Sequence, residues 1–322
     1  MTFSVIIPTF NSNLDKTLLT LKSVIKQEFT DFEIIVVDDA SEVDNLEKVG
    51  KFLKDSKCLN YKLIRNRENE GTVKNLLSAI KKADGLYIKA LGPGDLLYNE
   101  KTLGNLNTFM IDSGVSIGFG GMRSYIFEGG KVIEHSFSAP KNKKVYIKTT
   151  YSPLLQLRNL LIFGDWISGS TMFFEKTFIQ KYLTALCEKA KTKYCEDLIV
   201  VLGLLEGISP YYIEKDIIWY EYGSGLSTSG NQTYSDLLYR DHTQFRSFLA
   251  CNYSSNNVVR KMTLIDKRRR MISKVNNRWI RRLFLSFIDP MKVSFTLRYS
   301  VMNKRISRKN ETGFLDDLRF LE

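Results

Sequence analysis

Five acidic residues stand at the turn beside an apolar run, after it or before it: Asp38, Asp39, Asp95, Glu196 and Asp197. Asp38-Asp39-Ala40-Ser41 follows the β-formers Ile34 to Val37. A carboxylate there can accept a hydrogen bond from an imide N–H such as that of uracil, and Ser41 can cap the next helix; capping alone is the plainer alternative. Asp95 closes the turn Leu91-Gly92-Pro93-Gly94. A departing diphosphate needs its charge neutralised, usually by Mg²⁺ or Mn²⁺ held by one or two carboxylates, although a lone Asp is also an ordinary turn residue. Glu196-Asp197 opens the apolar stretch Leu198 to Leu205. At a helix N-terminus the dipole and the free N–H groups keep a carboxylate ionised, which suits a general base; helix capping is again the plainer alternative. Two further segments are polar at useful points. Asn69-Glu70-Gly71 through Asn75 combines a turn glycine with a helix start, a common arrangement that suits an anion. Gly223-Ser224-Gly225-Leu226-Ser227 follows Trp219 to Tyr222, and such a loop closes over a phosphate or merely turns the chain.

The elements that must position these residues alternate. Short apolar runs predict strands at Ser4–Pro8, Phe32–Val37, Tyr61–Arg65 and from Leu86. Helical spacing predicts helices over Leu14–Gln27, from Asp39 to about Leu53, and over Val73–Lys82. The alternation predicts an α/β fold with a mainly parallel sheet covered on both faces. In such sheets ligands lie beyond the carboxyl ends of the strands. Thr9, Asp39, Asn66 or Asn69, and Gly92 to Asp95 all fall at those ends. Farther along, Gly164 to Phe174 reads as a small-residue turn leading into an apolar strand. The spatial expectation is that Thr9, Asp39, Asp95 and Asp197 share one crevice.

Composition narrows the setting. The 322 residues are 43% hydrophobic with 6 Pro, enough for a sizeable core. No run of about 18 apolar residues is present; the nearest, Leu154 to Phe174, contains Arg158 and Asp165. The N-terminus lacks a basic stretch before its apolar run, so a cytoplasmic protein is expected, unless it is held at a membrane surface. Cys58, Cys187, Cys195 and Cys251 are scattered, and His135 and His242 are the only histidines, which disfavours a zinc site or a disulfide framework. The net charge of +12 resides in the tail: residues 258–322 carry 17 Lys/Arg against 6 acids, leaving 30 and 29 in residues 1–257. Lys267 to Arg270 and the run Arg278 to Ile288 mix cations with Trp, Leu and Phe. That mixture suits an anionic lipid surface, or a helix packed on its own domain. No nucleic-acid motif accompanies it, so no nucleic-acid partner is expected.

Taken in order, the pieces resemble the family 2 glycosyltransferases of GT-A fold. Val5-Ile6-Ile7-Pro8-Thr9-Phe10-Asn11 is similar to the family's opening strand and P-T-x-N turn, and Ile34 to Ser41 to its V-D-D-x-S. Asn69 to Asn75, Gly85-Leu86-Tyr87-Ile88 and Glu196-Asp197 are similar to its N-x-G…N, G-x-Y-I and E-D. The resemblance spans roughly residues 3–230. It implies a Rossmann-like nucleotide-sugar-binding half over 1–110 and an acceptor-binding and catalytic half over 111–257, and the charge pattern sets off a mostly helical basic extension over 258–322. It also implies that Asp39 contacts the base and Thr9 lines its pocket. Pro8, Asn11, Asp38, Ser41, Asn69, Gly71, Lys74, Asn75 and Ser227 complete the implied donor site. Asp95 would meet Mn²⁺ or Mg²⁺, and Asp197, beside Glu196, would be the catalytic base.

Departures are specific. Gly92 and Gly94 replace acids of the usual L-D-x-D-D, which points to weaker metal binding or a metal-light mechanism. Lys74 stands where Arg is common, Tyr220 and Tyr222 replace the usual Arg and His, and the Q-x-x-R-W of processive synthases is missing. The implied activity is inverting, single-addition transfer of a hexosyl or N-acetylhexosaminyl group. The donor would be a nucleotide diphosphate sugar, with UDP favoured. The acceptor would be a glycan, of the capsule or O-antigen type, on a lipid carrier at the inner face of the membrane, with residues 258–309 on the anionic surface. The alternatives are a catalytically degenerate nucleotide- or glycan-binding module, or a sugar nucleotidyltransferase. The last needs a Gly-rich, Lys/Arg-bearing loop after the first strand, which Thr9-Phe10-Asn11 is not.

Overall fold

A computed structural model describes residues 1–128, 131–147, 152–277 and 279–280. Strands β1 (Phe3–Thr9), β2 (Phe32–Asp38), β3 (Tyr61–Arg65) and β4 (Tyr87–Ala90) alternate with helices α1 (Leu14–Ile25), α2 (Leu46–Asp55) and α3 (Thr72–Ile80). All pairings among β1 to β4 are parallel: β1 with β2, β1 with β4, and β2 with β3. Along β1 the side chains divide between the faces, as the two-residue period requires. Phe3, Val5 and Ile7 join one core cluster, and Ile6 joins the other. α1 starts where Asn13 accepts from the Lys16 N–H at 3.2 Å.

The second half builds on the same sheet with β5 (Leu96–Leu97), α4 (Thr102–Ser113), β6 (Ile117–Glu128) and β7 (Lys131–His135). Next come α5 (Pro153–Leu161), β8 (Met172–Glu175), α6 (Lys176–Ala185), α7 (Ile199–Leu205) and β9 (Tyr211–Glu221). The sheet order is β3-β2-β1-β4-β8-β6-β9-β5, with β7 on β6. Here β6 and β9 pair in parallel, whereas β4–β8, β8–β6, β9–β5 and β6–β7 are antiparallel. The carboxyl ends of β1 and β2 therefore share one rim with the turn between β4 and β5.

Helices α8 (Gln232–Asn252) and α9 (Asn257–Ser273) close the described chain. Val258, Val259, Met262 and Ile265 of α9 are buried in the larger core cluster, and α9 packs against α5 and α8. Arg246 of α8 grips both carboxylate oxygens of Asp266, at 2.7 and 2.8 Å. The start of the basic segment thus packs on the domain, while Lys267, Arg268 and Arg270 are exposed. In the Arg278 to Ile288 run, only Trp279 and Ile280 lie within the described residues; both are exposed. No helix among the described residues is long and apolar enough to cross a membrane.

Candidate active site

At the rim, β1 and β2 end side by side, with Thr9 opposite Asp38. The Thr9 hydroxyl donates to Asp38 Oδ1 at 3.1 Å. Asp38 also accepts from the Ser41 N–H and hydroxyl and from Arg65 at 2.9 Å. Ser41 was expected to cap the next helix; instead α2 begins at Leu46, after Asn45, and the Ser41 oxygen accepts the Asn11 N–H at 2.8 Å. The reason is distance along the chain: four residues separate Ser41 from the first helical turn, so its hydroxyl ties two loops together. Asn11 takes a positive φ of 47° and its side chain accepts from the Glu42 N–H.

Asp39 is 2% exposed and serves the neighbouring loop. Its oxygens accept from Asn66 at 2.9 Å, the Glu70 N–H at 3.1 Å and the Gly71 N–H at 2.9 Å. A carboxylate offers about four acceptor positions, and these bonds take up three of them. Asn69 accepts the Gly71 N–H, and the buried Asn75 accepts from Asn66 at 3.0 Å. Gly71 has φ +85°, and a Cβ there would stand 2.8 Å from the Lys193 carbonyl oxygen, so the loop touches the second half of the fold directly. Lys74 faces outward and pairs with Glu70 at 2.8 Å.

The Gly92–Asp95 turn is held from three elements. The Gly94 N–H donates to Thr20 of α1 at 2.9 Å, the buried Tyr125 hydroxyl of β6 donates to the Gly94 carbonyl, and Asp95 Oδ1 accepts the Glu221 N–H of β9 at 3.1 Å. Beneath lies Lys89, fully buried, its ammonium donating to the carbonyls of Ala90 (2.9 Å) and Ser170 (2.5 Å). Burial pushes the Lys89 ammonium down to about 7, against the pull of Asp95. Burial likewise pushes Asp95 up to about 7, while the Glu221 N–H and Lys89 draw it back.

The chain enters α7 through a tight turn, Glu196–Leu198. Asp241 of α8 fixes the approach, its Oδ2 accepting the N–H groups of Lys193 (2.8 Å), Tyr194 (2.5 Å) and Cys195 (3.2 Å). Glu196 packs so close to Gly169 that a Cβ on that glycine would collide with its carboxylate. The helix start was expected to keep this acid pair ionised. Instead burial raises both, and the charge of Glu196 raises Asp197 further. Loss of hydration outweighs the few N–H groups the turn supplies.

One cavity of about 360 Å³ is lined by Pro8, Asp95, Glu196, Asp197 and Ser227 together with Phe137, Trp166, Tyr220 and His242. Thr9, Asp38 and Ser41 border a separate pocket of about 20 Å³ instead. Asp39, Asn69 and Asn75 brace the loop that brings Thr72 to the cavity wall. Among the described residues no three His, Cys, Asp or Glu side chains cluster as a closed metal site. The donors that are present are hard carboxylate oxygens. They fit a Mg²⁺ or Mn²⁺ ion that takes its remaining ligands from phosphate and water. Sequence reasoning missed Lys89, Asp241 and Glu221. A lysine in the centre of the buried run Tyr87-Ile88-Lys89-Ala90 is a legible signal; the other two show none.

The family model described as Glycosyl transferase family 2 matches residues 4–200. Poly(ribitol-phosphate) β-N-acetylglucosaminyltransferase TarS of Staphylococcus aureus is 36% identical over 112 residues, 34% of this chain and 19% of TarS. GalNAc(5)-diNAcBac-PP-undecaprenol β-1,3-glucosyltransferase of Campylobacter jejuni is 36% identical over 109 residues, 33% of each chain. The matched stretch is thus well under two thirds of either relative. Among solved structures, TarS 1–349 in complex with UDP-GlcNAc superposes with a TM-score of 0.51 at 17% identity, covering 97% of this chain and 99% of that one. Mannosyltransferase PcManGT of Pyrobaculum calidifontis, in complex with GDP-Man and Mn²⁺, gives 0.53 at 14% identity, covering 93% and 85%. Sheet order, rim and matched sequence agree: the chain belongs to glycosyl transferase family 2 and has the GT-A fold.

Proposed function

We propose that this chain is an inverting glycosyltransferase that moves a hexosyl or N-acetylhexosaminyl group from a UDP-sugar to a hydroxyl of a lipid-linked glycan. The observation that carries the reading is the cavity in which Asp95 and the half-buried pair Glu196–Asp197 stand together with Pro8 and Ser227. The family supports the reaction class. The relatives support the substrates: TarS has been solved with UDP-GlcNAc, and the Campylobacter enzyme is named for an undecaprenol-linked substrate.

Asp197 accepts the proton of the acceptor hydroxyl. The hydroxyl oxygen attacks the anomeric carbon from the face opposite the diphosphate, and the bond to the β-phosphate oxygen breaks with its electron pair on that oxygen. A divalent cation held through Asp95 would offset the charge gathering on that leaving group. Asp39 braces the Asn66–Gly71 loop and keeps one acceptor position toward a base, and Glu196 shares its proton equilibrium with Asp197. Phe137, Trp166 and Tyr220 give the cavity the apolar faces on which sugar rings pack. The exposed cations after Asp266 hold the enzyme to an anionic surface, where lipid-linked acceptors reside.

Asp197→Asn tests the mechanism. Transfer, measured with UDP-GlcNAc and UDP-glucose donors and a lipid-linked acceptor, should fall by roughly 10²- to 10⁴-fold, the usual worth of a positioned base. Near wild-type transfer by this variant would overturn the assignment. The glycines at 92 and 94 favour one other reading, a binding module without turnover. Donor hydrolysis by the wild-type protein with Mn²⁺ separates the two.

A further inference from the structure

The turn that carries Asp95 is short of acids, yet the space left by the missing side chains holds a carboxylate from elsewhere. Gly94 has φ +97°, and a Cβ built on it would collide with Oε2 of Glu221. A Cβ on Gly92 would lie 3.5 Å from Asp95 Oδ2. Glu221, the last residue of β9, is 5% exposed. Its Oε1 pairs with Lys16 of α1 at 2.6 Å, whereas Oε2 is buried without a hydrogen-bond partner. Its own N–H is bonded to Asp95, so the two acids belong to one rigid unit. A buried carboxylate oxygen with no donor loses its hydration uncompensated, which costs more for a charged group than for a neutral one. A cation beside it removes that cost.

We propose that Glu221 is the second carboxylate of the divalent-cation site, standing over Gly94 and completing with Asp95 the pair of acids that the Gly92–Asp95 turn no longer supplies. The proposal deepens the transferase reading above and rests on it. Two carboxylates suffice, because Mg²⁺ and Mn²⁺ complete their octahedra with water and substrate phosphates. Gly94 is then required twice over: for its positive φ, and because any side chain would displace the Glu221 carboxylate.

The test is Mn²⁺ binding in the presence of UDP, read by the loss of the free-ion EPR signal, with UDP binding measured separately by calorimetry. Wild-type protein should bind Mn²⁺. E221Q keeps the shape and should weaken Mn²⁺ at least 10-fold, as should D95N. E221D, which keeps the charge on a shorter arm, should fall between wild type and E221Q. K16M should bind Mn²⁺ as well as wild type or better, because the cation no longer competes with the ammonium; thermal unfolding of each variant checks the fold. If E221Q binds Mn²⁺ like wild type while D95N does not, Glu221 is only the partner of Lys16. If the wild-type protein binds UDP but no Mn²⁺, the cation site fails while the nucleotide-sugar reading stands. If UDP itself does not bind, both fail.

Discussion

Glu196 and Asp197 are two adjoining, half-buried acids whose proton affinity is raised by desolvation, so the folded chain holds protons there to a higher pH than the unfolded chain does. Asp197 is raised by burial and then by the charge of Glu196. The sign of the linkage follows. Between the ordinary Asp value of about 3.9 and the raised folded values, the native state binds more protons than the unfolded state. The contribution of this pair to folding stability is therefore fullest at acid pH and falls as pH climbs through that window. Each tenfold difference in proton affinity between the folded and unfolded chain is worth about 1.4 kcal/mol, so a loss on the order of 1–3 kcal/mol is expected between pH 5 and 8. Thermal melts across that range should show the decline in wild type and a shallower one in Asp197→Asn; parallel curves would mean that the pair does not hold the protons. The acids themselves were legible in the sequence, because they open the apolar stretch Leu198 to Leu205. Their protonation was not. It depends on Gly169 and on the cavity walls, brought in from distant segments. Lys89 and Glu221 likewise acquire their meaning only from residues far away along the chain.

At the scale of elements, the first four strands and the intervening helices were readable because each β–α step is local and strictly alternating. Ends shifted by a residue or two, and α2 began later than expected, after the loop tied down by Ser41. The second half was less legible for a physical reason. β8 enters antiparallel between β4 and β6, and the two-residue β5 pairs with β9, partners whose contacts leave no period in the sequence. The same holds for Asp241, a polar residue on a mostly exposed helix that gathers three N–H groups of the segment leading to Glu196. Hydrogen bonds to a charged group contribute about 1.5–3 kcal/mol each, so this contact fixes the position of the acid pair and adds stability. Asp241→Asn should lower the unfolding free energy by about 2 kcal/mol, the scale of one such bond. It should also reduce kcat by roughly 10-fold or more with little change in donor KM, because Asp95 and the β1–β2 rim are untouched. An increase in KM alone, with kcat preserved, would show that the clamp serves binding and not the acid pair.

For the molecule as a whole, the division of charge has a structural counterpart. The nearly neutral part of the chain, residues 1–257, carries the sheet, and the basic segment starts with a helix whose first turns are core. Val258, Val259, Met262 and Ile265 are at most 6% exposed, and each contributes about 1.5–3 kcal/mol by leaving water. Summed, that is comparable with the whole stability of a domain, about 5–15 kcal/mol. A chain ending at Asn256 should therefore fail to fold stably, whatever the tail does. A chain ending at Asn277 keeps α9 and its Arg246–Asp266 clamp, and its thermal midpoint should stay within a few degrees of the full chain. The two ends separate packing from surface binding. Sedimentation with vesicles containing anionic lipid should pull down the full chain at low salt, release it as salt rises through the range that screens such contacts, and recover much less of the chain ending at Asn277. Equal recovery of the two chains would move any surface contact onto α9 itself, with its exposed Lys267, Arg268 and Arg270. Recovery of neither would leave the positive tail without a membrane role.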